Sequence, residues 1–566
     1  MNPITARPKS DVLASEQTTA RRPAAAYLTW AAPVVVTAAL GLFEIGGPQL
    51  WRDEFATWSA ASRSLPQLWA MLHTIDAVLG PYYFGLHLWM AVFGDSAAAM
   101  RLPSVIAMAA AAGVVALIGR RLAGNAAGLA SGLVFALIPS VSRYAQEARP
   151  YAFAMLFAAL ATLTFLRAME RPTWSRWALY TVMLGAAGAA NLIALCVVAG
   201  HLVVVIWDFL ECTVRIGGDG TPESGRSLPG GRLAPDGSPL KLVTRFCVAV
   251  VVGGILVLPL VIEGHAQQGW QIGQVQAPHV AQLIGVSGGL WQQLFASVPA
   301  AAVVMLLAVV SLVAAPDARR RMIAVYALAF AIAPVVMVWG LSRGSTSYWT
   351  FRYMLFSVVG WTVGAGVCIS YLADRAKGTR LARFTRNVSP RFAVAAVLVA
   401  VVGLVGIHDQ LAIRDNEAHN VWAYPEVPSN GQPVDYQGAA NYIAANARPG
   451  DDIVFQTSDS NHYQVDTAME YYLRGKLPLP VFQAQTQVEA NSLAPTPFVD
   501  PSAVFTGTPR VWVVFVDHLA SDPFSALPPA TSSEEPSEAD VLEVYGYQVQ
   551  SMWQENGITV ALLTVS

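Results

Sequence analysis

Residues 81–94 read PYYFGLHLWMAVFG, and whether this stretch crosses a membrane decides the topology of the chain. It is apolar but holds only 14 residues, whereas about 20 are needed to cross ~30 Å of hydrocarbon. Longer apolar runs surround it at 27–46, 102–119, 125–141, 151–168, 175–190, 192–209, 246–263, 297–315, 322–341, 354–373 and 392–407. Those runs predict about eleven transmembrane helices. Composition agrees: 54% of the 566 residues are hydrophobic and 13% charged, where a soluble protein carries roughly 25% charged residues. The chain reads as a multi-pass α-helical membrane protein. The apolar run from Ala24 to Phe43 spans about 20 residues without an early small-residue cleavage site, so it reads as a retained anchor rather than a signal peptide.

Cytoplasmic loops carry the excess of Lys and Arg, and this bias assigns 81–94. If the stretch spanned, Arg120, Arg121, Arg167, Arg171 and Arg176 would all lie outside. If it lies along the surface, they fall inside, together with Arg319, Arg320, Arg321 and the run from Arg375 to Arg391. The loop 264–296, which has no Lys or Arg, then lies outside. The second arrangement is the consistent one. It predicts a cytoplasmic tail over 1–26, a transmembrane domain over 27–407 and a first outer loop over 47–101 with juxtamembrane helices. It also predicts an extracytoplasmic region over 408–566. The inner segment 211–245 contains GGDGTPESGRSLPGGRLAPDGSP and reads as a flexible linker.

Beyond residue 408 there are five basic residues against twenty acidic ones, and helix and strand signals alternate. YQGAANYIAANA (436–447) and TAMEYYLRG (467–475) predict helices; IVFQT (453–457), LPVFQ (479–483) and VWVVFV (511–516) predict strands. QVQSMW and ITVALLTV flank an Asn-Gly pair at 556–557, a hairpin signal. This is a small α/β domain. The four cysteines, Cys196, Cys212, Cys247 and Cys368, all precede it, so it has no disulfide framework.

The topology singles out the arginines that defy the charge bias: Arg52, Arg63, Arg101, Arg143, Arg149, Arg343 and Arg352. An anionic ligand at the outer surface accounts for them. Asp53 and Glu54 follow the first span directly; they either mark the wet end of a helix or supply a general base, which needs only positioning, partial desolvation and hydrogen-bond reach. Asp76 and Tyr82 add an acid and a phenol to the same loop. Arg143, Glu147, Arg149 and Tyr151 crowd the outer end of the third span, an expensive grouping unless paired or in use. Arg352 and Tyr353 open a later span with Arg343 nearby, and a guanidinium fork with a phenol suits phosphate. An aromatic-belt anchor with a snorkelling arginine is the bland alternative. Glu263 and His265, with Asp53, are the candidates for a divalent metal ion. No nucleic-acid partner is expected.

Taken in order, these motifs resemble the GT-C membrane glycosyltransferases. The residues that carry the resemblance are the Asp53-Glu54 pair, an Asp before a Pro-Tyr-Tyr helix ending in FGDS, the Arg101-Leu102-Pro103-Ser104 helix start, RYAQEARPY over 143–151 and the late Arg352-Tyr353. The nearest branch is the bacterial group akin to dolichyl-phosphate-mannose-protein mannosyltransferases (glycosyltransferase family 39), with its Rgt/ArnT-like cousins. The resemblance covers about 27–410. It implies inverting transfer of a sugar, mannose foremost, from a polyprenyl-phosphate-linked donor to the hydroxyl of a glycan, lipid or protein acceptor. The transfer would take place on the extracytoplasmic face of the plasma membrane. It further implies Asp53 as base, Glu54 and Glu147 as companion acids, and Arg101, Arg352 and Tyr353 as matching family positions. Many relatives read Asp-x-His-Pro-Pro-Leu where this chain has Asp76-Ala77-Val78-Leu79-Gly80-Pro81. The rival reading is a non-enzymatic transporter or lipid-handling protein, which predicts ionisable residues near mid-membrane or broken helices in repeated halves. The sequence displays neither.

Overall fold

The computed structural model describes residues 9–216, 239–273, 275–284, 289–376, 389–415, 434–456, 464–516, 522–527, 535–555 and 557–565. Helix occupies every one of the eleven apolar runs. Among the described residues, six helices are long and apolar enough to cross a bilayer singly, and up to eight spans result if each of two bent pairs counts as one. The helices at Trp174–Ala190 and Val298–Ala314 hold 17 residues each, and Ala26–Leu42 is another short apolar segment. Most of the expected inner linker, 217–238, lies outside the described residues, as do the basic positions 377–388 and Asn556.

In chain order the membrane part comprises α1 (Lys9–Leu42), α2 (Arg52–Ser62), α3 (Leu65–Leu72), α4 (Gly80–Phe93), α5 (Ala97–Ala123), α6 (Asn125–Ala136), α7 (Pro139–Ala145) and α8 (Tyr151–Glu170). It continues with α9 (Trp174–Ala190), α10 (Val197–Ile216), α11 (Pro239–Leu256), α12 (Leu258–Ile272), α13 (Val280–Ile284) and α14 (Leu290–Phe295). It ends with α15 (Val298–Ala314), α16 (Ala318–Leu341), α17 (Val358–Arg375) and α18 (Pro390–Ala412). Helix α4 is the 81–94 stretch. At ~1.5 Å per residue it extends about 21 Å, too short to span. It packs on α2 and α5, with the Trp89 indole donating to the Ala99 carbonyl at 2.8 Å.

Two runs that read as continuous are broken. The pair α6–α7 bends by 65° and α11–α12 by 57°. Each second helix carries a proline at its start, Pro139 and Pro259. Proline has no N–H to donate to the preceding turn and its ring clashes with the carbonyl there, so each run restarts in a new direction. These two breaks correct the expectation, drawn from the sequence, of no broken helices. Elsewhere small residues allow close approach: a Cβ on Gly366 of α17 would lie 2.4 Å from the Ser131 backbone nitrogen in α6.

The C-terminal domain is built on a mixed sheet of order β2-β1-β5-β7-β6. Its strands are β1 (Asp452–Phe455), β2 (Leu479–Pro480), β5 (Arg510–Val516), β6 (Tyr547–Glu555) and β7 (Ile558–Val565); β3 (Gln483–Gln485) and β4 (Thr496–Pro497) pair separately. LPVFQ makes only a two-residue strand, because Pro478 and Pro480 withhold ladder donors. Central β5 is buried on both faces, and its side chains alternate. Val511, Val513 and Phe515 enter one cluster. Trp512, Val514 and Val516 enter another, shared with helices Tyr436–Asn446 and Val465–Leu473 and with Leu50, Phe55, Met100 and Ala148 of the membrane part.

That shared cluster fixes the two parts together. The Phe55 ring, fully buried, meets Tyr436, Tyr471 and Tyr472 at centroid distances of 5.0, 6.0 and 5.9 Å. Asp95 accepts from Arg474 and from the Trp58 indole, both at 2.9 Å, and Gln49 donates to the Val434 carbonyl at 2.9 Å. Replacing Phe55 with Ala should cost about 3–5 kcal/mol. Melting of the purified protein in detergent checks this, and an unchanged melting temperature would mean that the two parts are not energetically coupled.

Candidate functional site

Asp53 and Glu54 are neighbours in the first turn of α2, where a helix N-terminus favours acids. Consecutive helical residues point about 100° apart, so the two carboxylates face different surroundings. Glu54 turns inward and is fully buried against Arg101. Arg101 donates to it through Nε at 2.8 Å and Nη2 at 2.7 Å. The remaining guanidinium hydrogens reach the carbonyls of Ile45, Pro48 and Gln49 at 3.0, 2.8 and 3.0 Å. Glu54 also accepts from the Ala148 backbone N–H at 2.9 Å. One bidentate pair thus joins the end of the first span, α2, α5 and the loop before α8.

Asp53 turns to a cavity of about 1080 Å³ whose wall it shares with Arg52, Asp76, Arg149, Tyr151, His265, Arg352 and Tyr353. Its Oδ2 lies 3.5 Å from both Arg149 Nη2 and Arg352 Nη1, and Oδ1 lies 3.8 Å from Arg52 Nε. Arg352 also sits 5.9 Å from the ring centres of Trp51 and Tyr151, and 6.0 Å from that of Tyr353, close enough for cation–π attraction. Arg149 continues to the Tyr83 hydroxyl at 3.4 Å, and Tyr83 donates to Asp76 at 2.7 Å. Gln271 of α12 holds the other Asp76 oxygen at 2.8 Å. Asp76 adopts φ +59°, a left-handed conformation that Asp tolerates better than most residues. Burial pushes its carboxyl above the ordinary range, while Arg149 and Tyr83 pull it back.

The other residues singled out in the sequence lie around this centre. Arg143 and Glu147 form a buried pair, Nη1 to Oε2 at 3.3 Å, with the guanidinium 5.7 Å from the Trp51 ring centre. Burial pushes the Glu147 carboxyl up to about 7; Arg143 pulls it down, and Glu54 and Asp53 push it further up. Tyr82 packs on Phe153, 6.0 Å between centroids, away from the cavity wall. Arg343 is exposed beside Trp339, 4.6 Å from its ring centre, and Glu263 is exposed too; neither lines the cavity. His265 does, bonded to Gln268 at 2.9 Å. A divalent ion does not fit the donors at Asp53, which faces three guanidiniums within 4 Å. Among the described residues, no three His, Cys, Asp or Glu side chains converge as metal donors.

Sequence reasoning missed two contributors, the C-terminal domain's share of the wall and the cavity glutamines. Gln464 and Leu493 bring the C-terminal domain into the cavity wall. Arg63, singled out in the sequence as an outer arginine, does not line the cavity; it is buried and donates to the Gln487 carbonyl at 3.1 Å, anchoring that domain. Glutamines 268, 271, 276, 282 and 293 also line the cavity. Their signal was present, since 264–296 holds eight glutamines and no Lys or Arg.

Two outcomes follow. Arg101→Met should destabilise the protein by about 3–5 kcal/mol, because it leaves Glu54 buried and unpaired; detergent melting curves check it. Native Glu147 keeps its proton to about 7, whereas the unfolded chain releases it near the ordinary value of 4.5. Its contribution to stability is therefore full below pH 4.5, falls as pH rises from there to about 7, and is gone above. Glu147→Gln should remove that part of the slope in melting temperature against pH; an identical slope would refute the assignment.

Residues 80–215 match the family described as dolichyl-phosphate-mannose-protein mannosyltransferase. No curated protein sequence matches the chain. Among solved structures it is similar to ArnT from Cupriavidus metallidurans bound to undecaprenyl phosphate, with 16% identity, TM-score 0.52, and coverage of 94% of this chain and 98% of ArnT. The apo form of ArnT gives 15% identity, TM-score 0.53, and coverage of 94% and 97%. The chain is a multi-pass membrane protein that shares the fold of ArnT, with a C-terminal domain that contains a β-sheet.

Proposed function

We propose that this protein is an inverting glycosyltransferase that moves a sugar from a polyprenyl-phosphate-linked donor to an acceptor hydroxyl on the extracytoplasmic face, with its N-terminus in the cytoplasm. The observation that carries the reading is the placement of Asp53 between Arg149 and Arg352, 3.5 Å from each, in the wall of one cavity. Mannose as the sugar is in keeping with the family matched by residues 80–215. Undecaprenyl phosphate bound to ArnT, a protein of the same fold, supports a lipid-phosphate donor.

In this mechanism the donor phosphate sits against Arg149, Arg352 and Tyr353. The apolar wall, including Leu192, Ile193, Leu195 and Phe351, receives the start of the lipid. The two arginines hold the Asp53 carboxylate in ion pairs. A phosphate competes for the same guanidiniums and so releases Asp53 toward the acceptor. Asp53 then takes the acceptor proton while the acceptor oxygen attacks the anomeric carbon from the face opposite phosphate. The carbon–oxygen bond to phosphate breaks, and the bonding pair leaves with the lipid phosphate. Charge develops where the arginines already stand, so they lower the barrier without reorganising. Glu54 and Glu147 act on position: one through Arg101 and the Ala148 backbone, the other through Arg143 behind Trp51. No step is assigned to a metal.

The test uses purified protein in detergent with labelled polyprenyl-phosphate-mannose. Asp53→Asn should fold normally and lose turnover by about 10²–10⁴-fold. It should bind undecaprenyl phosphate at least as tightly as the unaltered protein, since the arginines lose their competing carboxylate. Arg352→Gln should weaken that binding. Near-normal turnover of Asp53→Asn would sink the role given to Asp53.

A further inference from the structure

The cavity that holds Asp53 extends beyond the arginine–carboxylate centre, and glutamine dominates its remaining polar wall, with Asn191, His265, Tyr348 and Thr350 beside it. Gln268, Gln271, Gln276, Gln282, Gln293 and Gln464 line it. The charged lining consists of Arg52, Arg149, Arg352, Asp53 and Asp76 among the described residues, a formal charge of +1 with His265 counted neutral. A phosphodiester carries one negative charge. Once a donor phosphate is seated, the wall has no cationic surplus left for a second anion, and a charged acceptor would meet an uncompensated field.

Gln464 belongs to the C-terminal domain and is held in place from several sides. It sits at φ +57°, a left-handed backbone that costs energy in any residue but glycine. Its amide nitrogen donates to the Leu493 carbonyl at 3.0 Å, and its amide oxygen accepts from Thr467 at 3.1 Å. Gln487 braces Thr467 at 2.7 Å and is itself tied to Ser59 of α2 at 2.9 Å. Leu493 packs in the same cluster as Ala56, one turn of α2 beyond Asp53. The amide is therefore fixed in the wall of the cavity that also holds the proposed base, with one N–H and one lone pair still to offer.

We infer that the acceptor is a neutral, polyhydroxylated glycan, held by this amide wall with Gln464 as the contribution of the C-terminal domain. The inference rests on the transfer reaction proposed above. Each amide presents a donor and an acceptor side by side, complementary to neighbouring sugar hydroxyls that do the same. Strand addition, one common way to hold an extended peptide, has no template here, since no described lining residue lies in a strand. The wall thus sets acceptor class, while the arginine centre sets the donor.

The test is calorimetric titration of the full-length protein in detergent, with and without saturating undecaprenyl phosphate. The probes are neutral oligosaccharides, the same oligosaccharides carrying one phosphate, and a Ser/Thr-rich peptide. Neutral oligosaccharides should bind the lipid-phosphate-loaded protein, and their phosphorylated counterparts at least tenfold more weakly. Gln464→Leu should weaken neutral glycan binding at least fivefold; Gln293→Leu, on α14 and away from the domain contact, should do the same if the first variant folds poorly. Tighter binding of phosphorylated glycan or of peptide overturns the inference. So does loaded protein that takes up no neutral glycan, or glycan affinity untouched in both variants. Glycan binding retained without any binding of undecaprenyl phosphate would sink the donor reading while leaving a glycan site in the cavity.

Discussion

The rest of the structure depends on the bidentate contact between Arg101 and Glu54. A guanidinium with five donors is expensive to bury, and it is tolerable here because each hydrogen has a partner among Glu54, Ile45, Pro48 and Gln49. Those partners come from separate parts of the chain, so satisfying one side chain fixes several segments at once. The Ala148 N–H bonded to Glu54 extends the constraint to the loop that carries Arg149. Asp53 inherits its direction from this arrangement, because its neighbour on α2 cannot turn.

Much of this was legible in the sequence. Apolar runs located the helices, since a helix inside lipid must be apolar over most of its length whatever it packs against. The asymmetry of arginines placed Asp53, Arg149 and Arg352 on one side before any geometry was known, and the structure brings those three within 4 Å. The shortness of 81–94 marked it off from the spans. These signals are one-dimensional, set by length and charge.

What stayed hidden depends on direction and on long-range contact. Nothing in the letters Asp-Glu says which acid faces the cavity; the answer comes from Arg101, 47 positions after Glu54. The prolines at 139 and 259 could have flagged the bends, but a proline opening a helix and one kinking it look alike in a hydrophobic run. Gln464 reaches the wall that holds Asp53 only because its segment of the C-terminal domain docks on α2 through Thr467, Gln487 and Ser59. The other cavity glutamines showed only as the composition of 264–296, and a reading built on charge passes over polar residues that carry none.

The face of the C-terminal sheet that covers Phe55 includes Ile558, Val560 and Leu562 of β7, roughly 500 residues further along the chain. Closing so long a separation is slow and comes late in folding. The seam between the membrane part and the C-terminal domain is thus a long-range contact, and local packing of the helices precedes it.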